Sequence, residues 1–351
     1  MSVTSKLITL GAAGAGGGEK ATVAYVGSRA SRRITAIDIS NPSSMSQLGV
    51  LSNTTYFAGL INISVDAVNQ VAYLSSDFYV TAVDISNPAS MSVLSTLNIR
   101  GYNIALDVTN QVAYVNRGDQ LTSVNISNPS NISILQNLSY GYSNSAGISL
   151  DLTNNRLYVC GGDKLTSINV ANPSSMSIIS SYTGPSNTLN GSLEMAIDVD
   201  NSIAYATSSF SSQISSFNIS NPASMSLISS LSAGNGTRGM SLDLKNSIAY
   251  TVATSSDTIN SSDVSNPASM SSLGSLFNAT LLDGAYRVKT DFVSKIAYTC
   301  QLQGDSITSV DISNPASMSI LDSLSNTDLN DARSLSLNIS GPVATNAYEA
   351  S

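Results

Sequence analysis

The chain has 351 residues, 42% apolar and only 11% charged, with a net charge of −8 and neither histidine nor tryptophan. The apolar share is enough for a large core, while the charged share is less than half the usual ~25%. That surface suits an extracellular or particle-bound protein. The 15 basic residues form no run beyond Arg32-Arg33, so the basic stripe that nucleic-acid binding requires is missing. No stretch approaches the 18 or more consecutive apolar residues of a membrane span. The lack of histidine excludes Ser-His-Asp catalysis and histidine-held metals.

Residues 1–20 read as an extension. Leu7-Ile8-Thr9-Leu10, preceded by Lys6, is a short strand-like stretch followed by the Gly/Ala-rich Gly11–Gly18. It is too short and too weakly charged for a secretory signal. A strand on such a leash can add to a neighbour's sheet edge, with Leu7, Ile8 and Leu10 as its anchoring side chains. The alternative is a disordered tail.

From Thr22 onward the chain repeats. Asn-Pro pairs begin at Asn41, Asn87, Asn128, Asn172, Asn221, Asn266 and Asn314, mostly within Ser-Asn-Pro-Ala-Ser-Met-Ser. A period in the mid-forties means units that cannot bury their apolar faces alone. One unit shows the pattern. Ile104–Val108 and Gln111–Val115 are apolar runs separated by the turn pair Thr109-Asn110. After the loop Asn116–Asp119, Leu121–Ile126 alternates with period two, Asn128-Pro129 breaks the chain, and Ile132–Leu138 forms a fourth run. Four short strands per unit with no helical period describe one propeller blade. We label its strands a to d from the axis outward.

The first repeat begins at strand b (Thr22–Val26) and the last ends at strand a (Arg333–Ile339). The expected fold is therefore all-β: a seven-bladed β-propeller of four-stranded antiparallel blades over residues 21–351, closed by a composite blade built from both termini. Closure removes open sheet edges. The tail 341–351 is expected to lie across the joint or fray.

Three spacings are informative. Seven residues separate Asn of Asn-Pro from the next Leu or Ile, and seven separate the strand-a aspartates (Asp66, Asp107, Asp151, Asp198, Asp243, Asp291) from the strand-b tyrosine. From Asn-Pro to the next strand-a Asp, or to Asn338, the distance ranges from 20 to 26. The a–b and c–d turns share one face, so length variation sits on the other, where binding is usually placed. Tyr56, Phe57, Tyr140 and Tyr142 are expected as aromatic surface on that face, with Asn187 and Asn190 in its longest d–a connection. The alternative for the aromatics is to cover the core between blades.

Other motifs have structural readings. The aspartates cap tight turns, and Met45, Met91, Met176, Met225, Met270 and Met318 fill the c–d corner with Ile132 in the remaining place. Arg117-Gly118-Asp119 is the repeat's own Gly-Asp turn. Arg29, Arg32 and Arg33 either pair with acidic neighbours or remain solvated. Cys160 and Cys300 are expected as buried free thiols, too far apart for a disulfide. No catalytic residue, cofactor or metal ligand set is expected.

Strand c with its Asn-Pro turn, as in Val83-Asp84-Ile85-Ser86-Asn87-Pro88 and Val310-Asp311-Ile312-Ser313-Asn314-Pro315, and strand b as in Val71-Ala72-Tyr73-Leu74, resemble the LVIVD family of propeller repeats. The resemblance implies a propeller common in bacterial surface and secreted proteins, with no shared catalytic motif. Ser5–Gly18 is similar to N-terminal segments of structural and tail-fibre proteins of marine bacteriophages. The resulting expectation is a non-enzymatic virion module (tail or capsid decoration) within a larger assembly. It would contact other virion or surface proteins through residues 1–20 and present its loop face to a host receptor or glycan, without nucleic acid or membrane insertion. Alternatives are a bacterial cell-surface or secreted adhesin or scaffold, and a secreted carbohydrate-active hydrolase or lyase.

Overall fold

The computed structural model describes residues 20–141 and 147–338, so the expected anchor residues Leu7, Ile8 and Leu10, the tail 341–351 and Tyr142 lie outside the described residues. Seven four-stranded antiparallel sheets each run in the order a-b-c-d. Blade 1 is the composite: strand a is Ala332–Asn338, followed by Val23–Ser28, Arg33–Asp38 and Ser46–Ser52. The inner strands of blades 2 to 7 are Asn62–Asp66, Asn103–Asp107, Gly147–Asp151, Met195–Asp198, Thr237–Asp243 and Ala285–Asp291. Each lies beside the next, and Ala285–Asp291 meets Ala332–Asn338 to complete the ring. The seven-bladed propeller and its composite closure are as the repeat spacing implies. Element ends shift by one or two residues, and a short 3-10 turn, Thr327–Leu329, precedes the closing strand.

The apolar core is not central. It consists of seven seams, one between each pair of neighbouring blades. Between blades 1 and 2, Tyr25, Ile34 and Ala36 pack on Ile63, Leu74, Val83 and Met91. Each large side chain fully removed from water here contributes about 1.5–3 kcal/mol. Met45, Met91, Met176, Met225 and Met318 are buried at the corners, as is Ile132, whereas Met270 is only partly covered.

The Asn-Pro corner is built the same way in every blade. The Asn backbone carbonyl accepts from the third residue on, as in Ser269 N→Asn266 O (2.9 Å), and its Oδ1 accepts from the second, as in Ala268 N→Asn266 Oδ1 (3.1 Å). Proline presets the first turn position and the Asn side chain mimics a further backbone turn. The corner's proline carbonyl then points at the preceding blade. Ser123, Ser167, Ser216, Ser261 and Ser309, all in strand c, donate to the carbonyls of Pro173, Pro222, Pro267, Pro315 and Pro42 at 2.6–2.7 Å. Blade 2 uses Ser95 of strand d on Pro129, at 2.6 Å. Blade 1 lacks the serine. There Gly49 allows contact instead, since a Cβ at Gly49 would stand 2.3 Å from the Pro88 carbonyl oxygen. A register shift in the c–d pairing falls beside this latch in each blade, as at Ser261/Ser262. Strand-b tyrosines reinforce it: Tyr25, Tyr205 and Tyr298 donate to the carbonyls of Ile85, Val264 and Ile39 in the following blade, at 3.3, 3.1 and 3.4 Å.

Ser261→Ala leaves the Pro315 carbonyl without its recorded partner. The expected loss is about 1–3 kcal/mol, read as a lower urea midpoint with an unchanged denaturant slope.

Candidate functional site

The strand-a aspartates act as turn caps. Asp66 Oδ1 accepts from Val68 N and Asn69 N at 3.1 and 3.0 Å, and Oδ2 accepts from Asn69 Nδ2 at 2.7 Å. Asp107, Asp151, Asp198 and Asp243 repeat the arrangement with Asn110, Asn154, Asn201 and Asn246. Among the described residues no group of three or more His, Cys, Asp or Glu side chains is placed to hold a metal ion. These capped turns and the Asn-Pro corners together make up the uniform face.

On the opposite face, b–c loops prop d–a connections. Asp163 accepts from Asn187 N (2.9 Å) and Leu189 N (3.2 Å), Asp257 from Gly284 N (2.9 Å), and Asp305 from Asp331 N (3.0 Å). Asn187 is exposed in a left-handed conformation at φ 70°, and Asn190 Nδ2 donates to its Oδ1 at 3.2 Å. These two residues therefore do stand on the loop face. The aromatics differ from the surface reading. Phe57 is fully buried in the seam between blades 1 and 2, and Tyr140 is buried between blades 3 and 4, where its hydroxyl donates to Asn116 Oδ1. In both cases a d–a connection dips its aromatic ring into the apolar gap that the blades leave at their upper edge. Tyr56 is half-buried, edge-on to Tyr79 with ring centres 5.2 Å apart. Among the described residues, the loop face exposes Phe78, Phe210 and Phe277, at 59%, 72% and 63%. Arg117 and Asp119 pair with each other at 3.2 Å. Arg29 pairs with Asp77 of blade 2 at 3.0 Å, and Arg33 pairs with Asp328.

Two features organise the loop face. The first is an open groove of about 370 Å³ between blades 2 and 3, lined among others by Asp77, Phe78, Asn98, Arg100, Arg117 and Asn137. That volume is within the usual range for ligand sites. Asp77 bridges Arg29 and Arg100 (3.4 Å to the latter), and the Arg100 guanidinium lies 4.7 Å from the centre of the Tyr102 ring. Carboxylate and ring hold Arg100 in place.

The second is on the axis. Arg287 of blade 7 reaches across the ring. It pairs with Glu194 of blade 5 and donates to the Leu193 carbonyl (3.0 Å) and to Asn103 Oδ1 of blade 3 (3.1 Å). Lys289 Nζ lies 3.3 Å from the other Glu194 oxygen. Asn103 Nδ2 donates to Leu193 O at 3.1 Å, and Asn62 of blade 2 donates to Asn103 Oδ1 at 3.0 Å. The cluster closes the channel with a buried ion-pair network. Glu194, Arg287 and Lys289 escape a reading of the repeats one motif at a time. Their signal is positional: four residues before the strand-a Asp stand Asn62, Asn103, Gly147, Glu194, Gly239 and Arg287, with one acid and one base in the ring.

Cys160 and Cys300 are free and fully buried. Burial pushes both thiols up to about 12, which disfavours the nucleophilic thiolate.

With this geometry in view, the LVIVD repeat family matches residues 24–51, 70–98, 101–139, 149–184 and 302–325. No curated protein matches the chain. Solved structures share the fold. A Bacteroides fragilis protein provisionally described as a 6-phosphogluconolactonase superposes with a TM-score of 0.76 at 10% identity, covering 91% of this chain and 98% of its own. The Pseudomonas aeruginosa periplasmic gluconolactonase gives 0.74 at 10%, covering 91% and 99%. A Lactobacillus plantarum protein gives 0.73 at 16%, covering 90% and 99%. At these identities the likeness concerns the fold alone.

Two measurements probe this chemistry. Glu194→Gln strands Arg287 and Lys289 without their carboxylate and is expected to lower stability by about 3–5 kcal/mol in equilibrium denaturation. The native thiols are expected not to react with a thiol reagent at pH 8, where a pKa of about 12 leaves roughly one thiolate in ten thousand, and to react fully on unfolding. Unfolded thiols ionise near 9.0. Raising the pH from 9 toward 12 therefore deprotonates the unfolded chain first and lowers stability.

Proposed function

We propose that this LVIVD-repeat propeller is a non-enzymatic binding module that uses its loop face to recognise a glycan or receptor on another surface. The observation that carries the reading is the groove between blades 2 and 3. It combines an exposed phenyl ring, two guanidinium planes and the amides of Asn98 and Asn137. An aromatic face with flanking planar donors suits stacking and hydrogen bonding to a sugar ring. The finer reading places the chain on a virion, as a tail or capsid-decoration protein within a larger assembly. Residues 1–20 attach it there through Leu7, Ile8 and Leu10 to other virion or surface proteins; an extracellular or cell-surface location is the alternative. Support comes from the low charge and from the Gly/Ala-rich sequence of residues 11–18.

A second reading draws on the shared fold with gluconolactonases and on the buried Glu194: a hydrolase acting on a sugar derivative. Against it, both oxygens of Glu194 are engaged by Arg287 and Lys289, which opposes its use as a base.

A glycan array separates these readings. Saturable binding by the whole protein, reduced at least tenfold by Phe78→Ala or Arg100→Ala, is expected. Turnover of gluconolactone or a polysaccharide that is abolished by Glu194→Gln, with the variant still folded, would favour the hydrolase.

A further inference from the structure

We infer that the loop-face mouth of the axial channel is a binding site for an oxyanion, a phosphate, sulfate or carboxylate group. This site is separate from the groove between blades 2 and 3. Three guanidinium groups from consecutive blades converge on one ring. The Cζ atoms of Arg238 (blade 6), Arg287 (blade 7) and Arg333 (blade 1) lie 5.4, 5.7 and 5.7 Å from the centre of the Tyr286 ring. Tyr286 is itself buried. Arg238, Tyr286 and Arg333 occupy the same repeat position, five residues before Asp243, Asp291 and Asn338. They therefore stand at the loop-side end of three adjacent inner strands.

The charges there do not balance. Glu194 serves both Arg287 and Lys289, and Asp331 serves Arg333 at 2.8 Å. Arg238 has no ion pair or side-chain hydrogen bond among the described residues, and its Nε is buried without a partner. The Nε of Arg287, a residue only 2% exposed, is likewise unpartnered. Of the three guanidiniums around Tyr286, Arg238 thus has no carboxylate of its own among the described residues. A guanidinium plane with a buried donor that lacks an acceptor is unfavourable until water or an anion completes it. Two such planes at one mouth match the several acceptor oxygens of an oxyanion. Arg287, crossing the channel, forms the floor, so the anion rests at the mouth and does not pass through.

Isothermal titration of the full chain with sodium phosphate, at constant ionic strength set by chloride, tests the site. A parallel titration with galacturonate distinguishes a free inorganic anion from an acid group carried on a sugar. Saturable millimolar or tighter binding of either is expected. Arg238→Gln should weaken it at least tenfold, and Arg238→Lys, which keeps the charge but not the planar fork, should weaken it less. Arg100→Ala should leave it unchanged even if glycan binding in the groove is lost, so the two sites fail independently. Unliganded Arg238→Gln should be at least as stable as the parent, because the change removes an uncompensated charge. The inference is overturned if neither anion saturates, if Arg238→Gln binds as the parent does, or if the unliganded variant is markedly destabilised, which would assign Arg238 a structural role.

Discussion

The hydrogen bond from a strand-c serine to the proline carbonyl of the next blade is the interaction on which the architecture turns. A blade is a four-stranded sheet with two apolar faces, unstable alone. The seams supply most of the stabilisation, but they are non-directional and would tolerate sliding. The serine latch is directional. It fixes the height and angle of six of the seven corners against the preceding blade, and the close approach of Gly49 to the Pro88 carbonyl serves at the seventh, so the positions of the inner strands depend on one another. A single latch is worth only about 0.5–1.5 kcal/mol net. Its importance lies in register, because the ring closes where Ala332–Asn338 pairs with Val23–Ser28.

This arrangement divides the molecule by face. On one side the Asn-Pro corners and the Asp-capped a–b turns are occupied with closure, and their side chains are bonded to their own turns or to the adjacent blade. On the other side the b–c loops and d–a connections need only bridge strand ends of fixed position. Their lengths can differ without disturbing the ring. The open groove, the exposed Phe78 and Phe210 and the arginine cluster about Tyr286 all lie on that freer face.

Most of the fold was legible in the sequence because its determinants are local and repeated. Period-two strands, Asp-to-Tyr spacing and Asn-Pro turns each carry their own geometry. The composite blade followed from which strands were missing at each end. The site was less legible. Phe57 and Tyr140 sit in connections that look exposed in sequence, yet the gap between two blades draws them in, and only the relative placement of the blades reveals the gap. Conversely, Glu194, Arg287 and Asn103 are far apart in the chain and meet only across the axis. Closing the ring brings them together, and nothing in a single repeat announces it. Arg238 and Arg333 share that origin, and their convergence on Tyr286 depends on three blades at once.

The central claim is the division of labour between the faces, and hydrogen–deuterium exchange of the whole protein with and without the best ligand from the glycan array tests it most directly. The account predicts slowed exchange in the loops at 76–79, 98–102 and 117–120, with the Asn-Pro corners unchanged. Protection centred on the corners at 41–45, 87–91 and 128–132, with the loop segments unaffected, would contradict it.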